Sequence, residues 1–115
     1  MTTSRRHATA TTRALEQGGP TIYHTGDTDL FGDLRLVGER WPVDVMLACI
    51  GGRFTMDPEG AAAAAALVGA KQVVPMHYGT FPLLSGTPSE LERAIAARDG
   101  KARVVVMKPG ETRRF

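Results

Sequence analysis

Two short segments of the sequence carry residues that are suited to metal chemistry. The first is His24-Thr25-Gly26-Asp27-Thr28, in which a glycine permits a sharp turn and an aspartate follows it. The second is Pro75-Met76-His77-Tyr78-Gly79-Thr80, in which a histidine follows an apolar run. Because carboxylates and neutral imidazoles both bind divalent metal ions, Asp27 and His77 are candidate metal ligands.

Each of these two residues also has a simpler structural interpretation. An aspartate in a Gly-Asp-Thr turn is more often part of an Asx-turn or a helix cap. A histidine beside an apolar strand is more often a hydrogen-bonded structural residue than a ligand. Taken one at a time, the two segments therefore favour the structural interpretation over the catalytic one.

A third segment, Ile50 to Met56, is a glycine-rich loop that contains Gly51, Gly52 and Arg53. Backbone amides and an arginine in such a loop could hold an anionic substrate group or orient a metal-binding carboxylate. The loop lacks the Lys-Ser/Thr ending of a phosphate-binding P-loop and the full glycine pattern of a dinucleotide site. The alternative is a tight turn with a solvated arginine.

Hydrophobic patterning places these segments at the ends of predicted strands. Four short runs are predicted as strands: 21–24, 43–50, 72–76 and 103–107. The candidate residues follow the first, second and third of them. Strands that alternate with helices indicate an α/β sheet, here in the order β-α-β-α-β-α-β, and reactive groups in such folds gather at strand ends.

Helix-capping residues predict where the three intervening helices begin and end. Asp29 is expected to cap the first helix, which closes at Gly38 and the Trp41-Pro42 pair. Asp57, followed by a proline, is expected to cap the second, which ends at a glycine at position 69. The capping box 87–90 opens the third.

The composition indicates one ordinary globular domain and argues against several other classes. The 115 residues are 43% hydrophobic and 23% charged, with a net charge of +2. Much of the basic excess lies at the two ends, so no nucleic-acid partner is expected. No apolar run approaches the roughly 20 residues that a membrane helix needs, so no membrane partner is expected either. The single cysteine, Cys49, excludes an internal disulfide, suggests a buried inert thiol and fits a cytoplasmic location.

The amino-terminal segment, residues 1–19, differs in composition from the rest. It is rich in Thr, Ser, Ala and Arg, with Glu16 as its only acid and Leu15 as its only large aliphatic residue after Met1. Such a segment can bury little apolar surface, so we expect 1–19 to be disordered and 20–115 to form the folded domain.

The order and wording of the three segments resemble metal-dependent hydrolases of the metallo-β-lactamase superfamily. The matching runs are 23–28, 51–56 and 76–82. Within the superfamily they are most similar to the bacterial and archaeal group related to L-ascorbate-6-phosphate lactonase. The resemblance covers about Gly18 to the end of the last strand. It implies an αββα sandwich with a metal site between two sheets, of which this chain would form the carboxy-terminal half.

The resemblance also implies roles for individual residues. Asp27 matches the aspartate that bridges two metal ions, and His77 matches the last histidine ligand. Gly51, Gly52 and Arg53 match a motif near the site, and Tyr78 and Thr80 would lie beside the ligands or the substrate.

The sequence departs from the family in the ligands it lacks. A His-x-His-x-Asp-His signature supplies most ligands in the family, and a further histidine precedes the bridging aspartate; this sequence contains neither. His7 and His24 do not match ligand positions. Since a catalytic zinc usually has three protein ligands, the isolated chain is expected to bind zinc or manganese weakly, or not at all, and to hydrolyse little.

Three hypotheses for function follow. The first is a truncated form of a hydrolase whose intact relatives attack a small-molecule ester, lactone or phosphoester with a metal-activated water. The second is one half of a split enzyme, completed by a second copy of the chain or by a missing amino-terminal half. The third is a non-catalytic binding module, in which the glycine-rich loop binds an anion and Asp27 and His77 are structural.

Overall fold

A computed structural model describes residues 11–14 (backbone only), 19–52, 55–79 and 85–115. These residues form one sheet with helices packed on it. The strands are β1 (Thr11–Ala14), β2 (Thr21–His24), β3 (Val45–Cys49), β4 (Gln72–Met76) and β5 (Arg103–Val104). The helices are a 3-10 turn (Gly32–Leu34), α1 (Arg35–Arg40), α2 (Pro58–Val68) and α3 (Pro88–Ala97).

The strands lie in chain order, β1-β2-β3-β4-β5, across the sheet. The β2–β3, β3–β4 and β4–β5 pairs are parallel, and β1 is antiparallel to β2. Right-handed crossovers between parallel strands that advance in one direction place every connecting helix on the same face. The carboxyl ends of β2, β3 and β4 therefore meet at one edge, from which all three candidate segments emerge.

The main core lies between the sheet and the helices. Side chains alternate along each strand, so Met46 faces the helices while its neighbours Val45 and Leu47 face away. The helix side holds the larger cluster, which includes Tyr23, Leu34, Val73 and Leu91. A smaller cluster of Val45, Val74 and Val105, with Ile22, Leu47 and Met107 partly buried around it, covers the opposite face.

The predicted caps of the second and third helices are confirmed. Asp57 Oδ1 accepts a hydrogen bond of 2.7 Å from the Gly60 amide, and Gly69 ends α2 in the left-handed conformation at φ 73°. Thr87 Oγ1 accepts a bond of 3.3 Å from the Glu90 amide at the start of α3. These interactions lie within a few residues of sequence, which explains why patterning found them.

The predicted start of the first helix is wrong, whereas its end is confirmed at the Trp41-Pro42 pair but not at Gly38, because Trp41 follows the last helical residue. Asp29 Oδ1 accepts from the adjacent Leu30 amide at 2.8 Å and caps no helix; the helical segment begins with the 3-10 turn at Gly32. The helix also continues through Gly38 to Arg40. A Cβ at position 38 would clash with the Val68 carbonyl at the end of α2, so this glycine serves a close helix contact and is not a stop signal.

The last strand is shorter than predicted, 103–104 in place of 103–107. Val105 still donates to the Val73 carbonyl at 2.9 Å, but the next donor needed from β4 would be the amide of Pro75. Proline has no amide hydrogen, so the ladder ends there. The predicted bounds followed from the apolar run of the last strand alone, whereas its observed end depends on Pro75 in the neighbouring strand.

Residues 11–14 form strand β1, although they fall in the segment expected to be disordered. They pair with β2, whose outer edge would otherwise present unpaired backbone donors and acceptors. The remainder of that segment up to residue 18 lies outside the described residues. Among those that are described, no helix is long and apolar enough to cross a lipid bilayer.

Candidate metal centre

The fold brings the two candidate ligands, Asp27 and His77, together. His77 Nε2 lies 3.7 Å from Asp27 Oδ1. The residues follow β2 and β4, which are separated by β3 and are therefore roughly 10 Å apart. Both side chains must reach over the end of β3 to meet, so the contact depends on the conformation of the two turns.

Asp27 stands on a turn that glycine makes possible. Gly26 has φ 64°, and its amide donates to His24 Nδ1 at 3.0 Å, which closes the turn. The Asp27 side chain is 71% exposed, and within the described ranges the His77 imidazole is the polar group that approaches it. Its carboxylate is thus open to solvent and to a cation.

His77 adopts a backbone conformation that residues other than glycine rarely take. Its φ is 57°, and Gly79 two residues later has φ 69°. The turn directs the imidazole toward Asp27, with the side chain 34% exposed. Backbone strain of this kind costs on the order of 1–3 kcal/mol and clusters at functional positions.

This strain gives an expected order of stabilities. His77→Gly should be more stable than His77→Ala by about 1 kcal/mol, because glycine tolerates a positive φ and alanine does not. Urea unfolding followed by circular dichroism measures the difference. The matched pair Glu92→Gly and Glu92→Ala, in the exposed interior of α3, should show the opposite order, because glycine weakens a helix by about 1 kcal/mol. Equal stability of the two His77 variants would contradict the strained turn.

One amide of the glycine-rich loop is not available to an anion. Gly52 has φ 72°, and its amide donates to the Met56 carbonyl at 2.9 Å. The Gly51 carbonyl accepts from the Ser85 amide at 3.0 Å. The Gly52 amide is therefore committed within the loop and does not point to a ligand. Arg53 lies outside the described residues.

The surroundings of His77 are mostly apolar. Tyr78 is partly buried and packs against the main core, while Thr80 lies outside the described residues. A cavity of about 450 Å³ opens beside the imidazole on the sheet face away from the helices. Its walls include Leu47, Val74, Met76, Met107 and Lys108.

Tyr23 and Cys49 were not singled out as neighbours by sequence patterning. Tyr23 is 1% exposed, and its hydroxyl has no hydrogen-bond partner in the described structure. Burial, and secondarily the nearby Cys49 thiol, raise the pKa of Tyr23 to about 12. The buried position predicted for Cys49 is confirmed. Two residues on neighbouring strands carry no common signal in the sequence, so only the fold reveals this contact.

Asp27 and His77 are the possible metal donors that meet at this edge of the described structure. Within the described ranges there is no group of three or more His, Cys, Asp or Glu side chains placed to hold one metal ion. His7 falls in a range that is not described. Asp27 and His77 are thus a pair.

The sequence is similar to those of known metal-dependent hydrolases. A family model described as a beta-lactamase superfamily domain matches residues 4–77. A UPF0173 metal-dependent hydrolase of Anaeromyxobacter dehalogenans is 59% identical over 96 residues, which are 83% of this chain and 34% of that protein. A UPF0173 metal-dependent hydrolase of Thermodesulfovibrio yellowstonii is 51% identical, over 84% of this chain and 36% of that protein. The chain therefore spans about a third of the length of these relatives.

Solved structures with similar folds include a metallo hydrolase and an isothiocyanate hydrolase. Igni18, a metallo hydrolase from the hyperthermophilic archaeon Ignicoccus hospitalis, matches 84% of this chain and 42% of its own, with a TM-score of 0.76 and 43% identity. An isothiocyanate hydrolase from Delia radicum gut bacteria matches 84% of this chain and 40% of its own, with a TM-score of 0.68 and 19% identity. At that identity the second match concerns the fold alone.

Proposed function

The chain belongs to the metallo-β-lactamase superfamily, and from this premise we propose that Asp27 and His77 are ligands in a divalent-metal site for hydrolysis. The predicted family and α/β fold class are thereby confirmed. The observation that supports the metal site most is the 3.7 Å approach of His77 Nε2 to Asp27 Oδ1 at the carboxyl edge of the sheet.

The distance between these two donor atoms is close to that between two ligands of one metal ion. Nitrogen and oxygen donors lie about 2.0–2.1 Å from zinc, so two ligands in a tetrahedral site are about 3.4 Å apart. The observed 3.7 Å needs only a small adjustment of two partly exposed side chains. Because a catalytic zinc usually takes three protein ligands, further donors are required from outside the described residues.

A bound divalent ion, zinc or manganese, would supply a water of lowered pKa and polarise the substrate oxygen under attack. The residues of this chain then have defined tasks. The Asp27 carboxylate contributes negative charge at the solvent-open side. The His77 imidazole contributes a nitrogen donor whose direction is set by its left-handed backbone.

The proposed substrate is a small-molecule ester, lactone or phosphoester. The cavity beside His77 supports a substrate with an apolar portion, because its walls are largely aliphatic and methionine side chains. Lys108 at the same cavity offers a positive charge to an anionic group. Tyr78 and, from outside the described residues, Arg53 and Thr80 are proposed to complete the surroundings.

Metal content tests the proposal. After purification the chain should hold well under one zinc or manganese per molecule by elemental analysis, because a pair of ligands binds weakly. Millimolar Mn²⁺ should nevertheless broaden the amide NMR signals around Asp27 and around His77 at the same concentration. Broadening of only one segment would contradict a shared ion. One tightly bound metal ion per molecule together with measurable esterase turnover would instead contradict the inference that this chain lacks some of the required ligands.

A second candidate is one half of a split enzyme, in which a second copy or a separate amino-terminal half adds ligands. The apolar cavity beside His77 favours it, because this sheet face carries no helix in the described structure. The same metal measurement distinguishes the two. Metal content that rises with chain concentration indicates ligands from a second copy, and content that stays constant contradicts that form of assembly.

A further inference from the structure

The position of the Asp27 carboxylate depends on the backbone turn that carries it. The Asp27 side chain is 71% exposed, and within the described ranges His77 is the residue whose polar side chain approaches the carboxylate. A side chain with so few restraints can be held in one place only if the turn beneath it is held. The contacts of that turn therefore decide whether the candidate ligands stay together.

Thr25 anchors the amino-terminal side of the turn. The residue is 1% exposed, and its amide donates to the Leu47 carbonyl at 3.1 Å. Thr25 Oγ1 accepts from the Cys49 amide at 3.3 Å. The single hydroxyl hydrogen can serve one acceptor at a time, and the Gly26 carbonyl at 2.9 Å is closer than the Cys49 sulfur at 3.6 Å.

Cys49 also anchors the carboxyl-terminal side. Its thiol, fully buried, donates to the Thr28 carbonyl at 3.5 Å. The same carbonyl accepts from the Met56 amide at 2.9 Å. Because Thr25 and Thr28 flank the turn, Cys49 contacts the chain on both sides of Asp27.

The end of β3 holds the histidine side as well. Ile50, the residue after Cys49, donates its amide to the Met76 carbonyl at 3.1 Å. Met76 directly precedes His77. Cys49, the last residue of β3, thus contacts the backbone on both sides of Asp27, and Ile50, which follows the strand, contacts the residue before His77. Together they link the ends of β2 and β4, which lie on either side of β3.

We propose that Thr25 and Cys49 are positioning residues that hold Asp27 in register with His77. This rests on the proposed metal site, since positioning has a function only if the two side chains share an ion. The Thr25 hydroxyl accepts a hydrogen bond from the Cys49 amide of β3 and donates one to the Gly26 carbonyl in the turn. The buried Cys49 thiol donates to the Thr28 carbonyl on the other side of Asp27.

Hydrogen exchange without metal tests the anchoring itself. In Thr25→Val and Cys49→Ala, the amides of Thr25 and Met56 should exchange roughly fivefold faster or more, the factor expected for loss of one hydrogen bond. Thr25→Ser, which keeps the hydroxyl, should exchange like the wild type. The Gln72 amide, bonded to the Asp44 carbonyl at the opposite edge of the sheet, serves as an internal reference for global unfolding.

A matched control separates positioning from general destabilisation. Ile95→Val removes one methylene from a buried side chain on α3. Ile95 lines a cavity together with Gly69 and Ala70, which precede β4, so it lies at the amino end of that strand. The substitution should lower global stability without selectively affecting the Thr25 and Met56 amides. If Thr25→Val accelerates the Gln72 amide as much as the Thr25 amide, the anchoring is not local and the inference is overturned.

Mn²⁺-dependent broadening tests the consequence for the ligands. Thr25→Val and Cys49→Ala should need roughly tenfold more Mn²⁺ to broaden the Asp27 and His77 segments, in line with the loss of outer contacts at metal sites. Thr25→Ser and Ile95→Val should respond like the wild type. Joint broadening in the wild type with no shift in Thr25→Val would overturn the positioning role while leaving the metal site intact. Absence of joint broadening in the wild type would overturn both the metal site and its positioning, even if the exchange data show local anchoring.

Discussion

Replacing Asp27 with asparagine is expected to weaken Mn²⁺ binding at the Asp27–His77 pair roughly tenfold or more while leaving the fold intact. Asparagine keeps the size of the side chain but removes the charge that attracts a divalent cation. Because the Asp27 side chain is 71% exposed, its replacement disturbs little packing. The measurement is the Mn²⁺ concentration at which amide signals around His77 are half broadened.

Asp33→Asn is the matched control for that experiment. Asp33 is exposed in the 3-10 turn and carries the same charge, so its replacement changes the net charge equally. It should leave the Mn²⁺ response unchanged. An equal effect of the two variants would mean that net charge attracts the ion, and it would contradict ligation by Asp27.

Gly86→Ala is expected to lower the free energy of unfolding by about 1–3 kcal/mol or more. Gly86 is buried, and a Cβ there would clash with the Ile50 carbonyl and press on the Pro58 ring. Ile50 directly follows β3 and donates its amide to the Met76 carbonyl, next to His77, while the neighbouring Ser85 amide donates to the Gly51 carbonyl. The close approach therefore secures the segment before α3 against the end of β3.

Urea unfolding of Gly86→Ala should be compared with Gly32→Ala. Gly32 lies in the 3-10 turn with open space around its Cβ position, so alanine there should change stability little or raise it. Similar unfolding midpoints for the two variants would show that the segment at Gly86 relaxes without cost. That result would contradict a required glycine at position 86.

The elements that sequence patterning predicted well are those that depend on local interactions. The α2 cap at Asp57 and the left-handed Gly69 both act within one helical turn, and both are confirmed. The strand at 72–76 was predicted with its observed bounds, because its apolar run is flanked by polar and turn residues. These features depend on residues that are close in sequence, so they can be predicted without knowing which strand pairs with which.

The elements that patterning predicted poorly depend on a distant partner. Gly38 was interpreted as a stop signal, but it lies inside α1 because the end of α2 packs against it. The last strand ends early because Pro75 on β4 has no amide to offer. In both cases the deciding atom belongs to a segment that is remote in sequence.

The sequence by itself determined that Asp27 and His77 follow strands, and the resemblance of its motifs indicated the family. Individually each residue favoured a structural role. Only the tertiary structure decided that the two lie 3.7 Å apart, since that depends on the order β2-β3-β4 and on the left-handed backbone of His77. It also decided that Cys49, expected to be an inert buried thiol, contacts both sides of the Asp27 turn. The physical reason is that hydrogen bonds between strands join residues more than twenty positions apart, and no local pattern encodes such pairs.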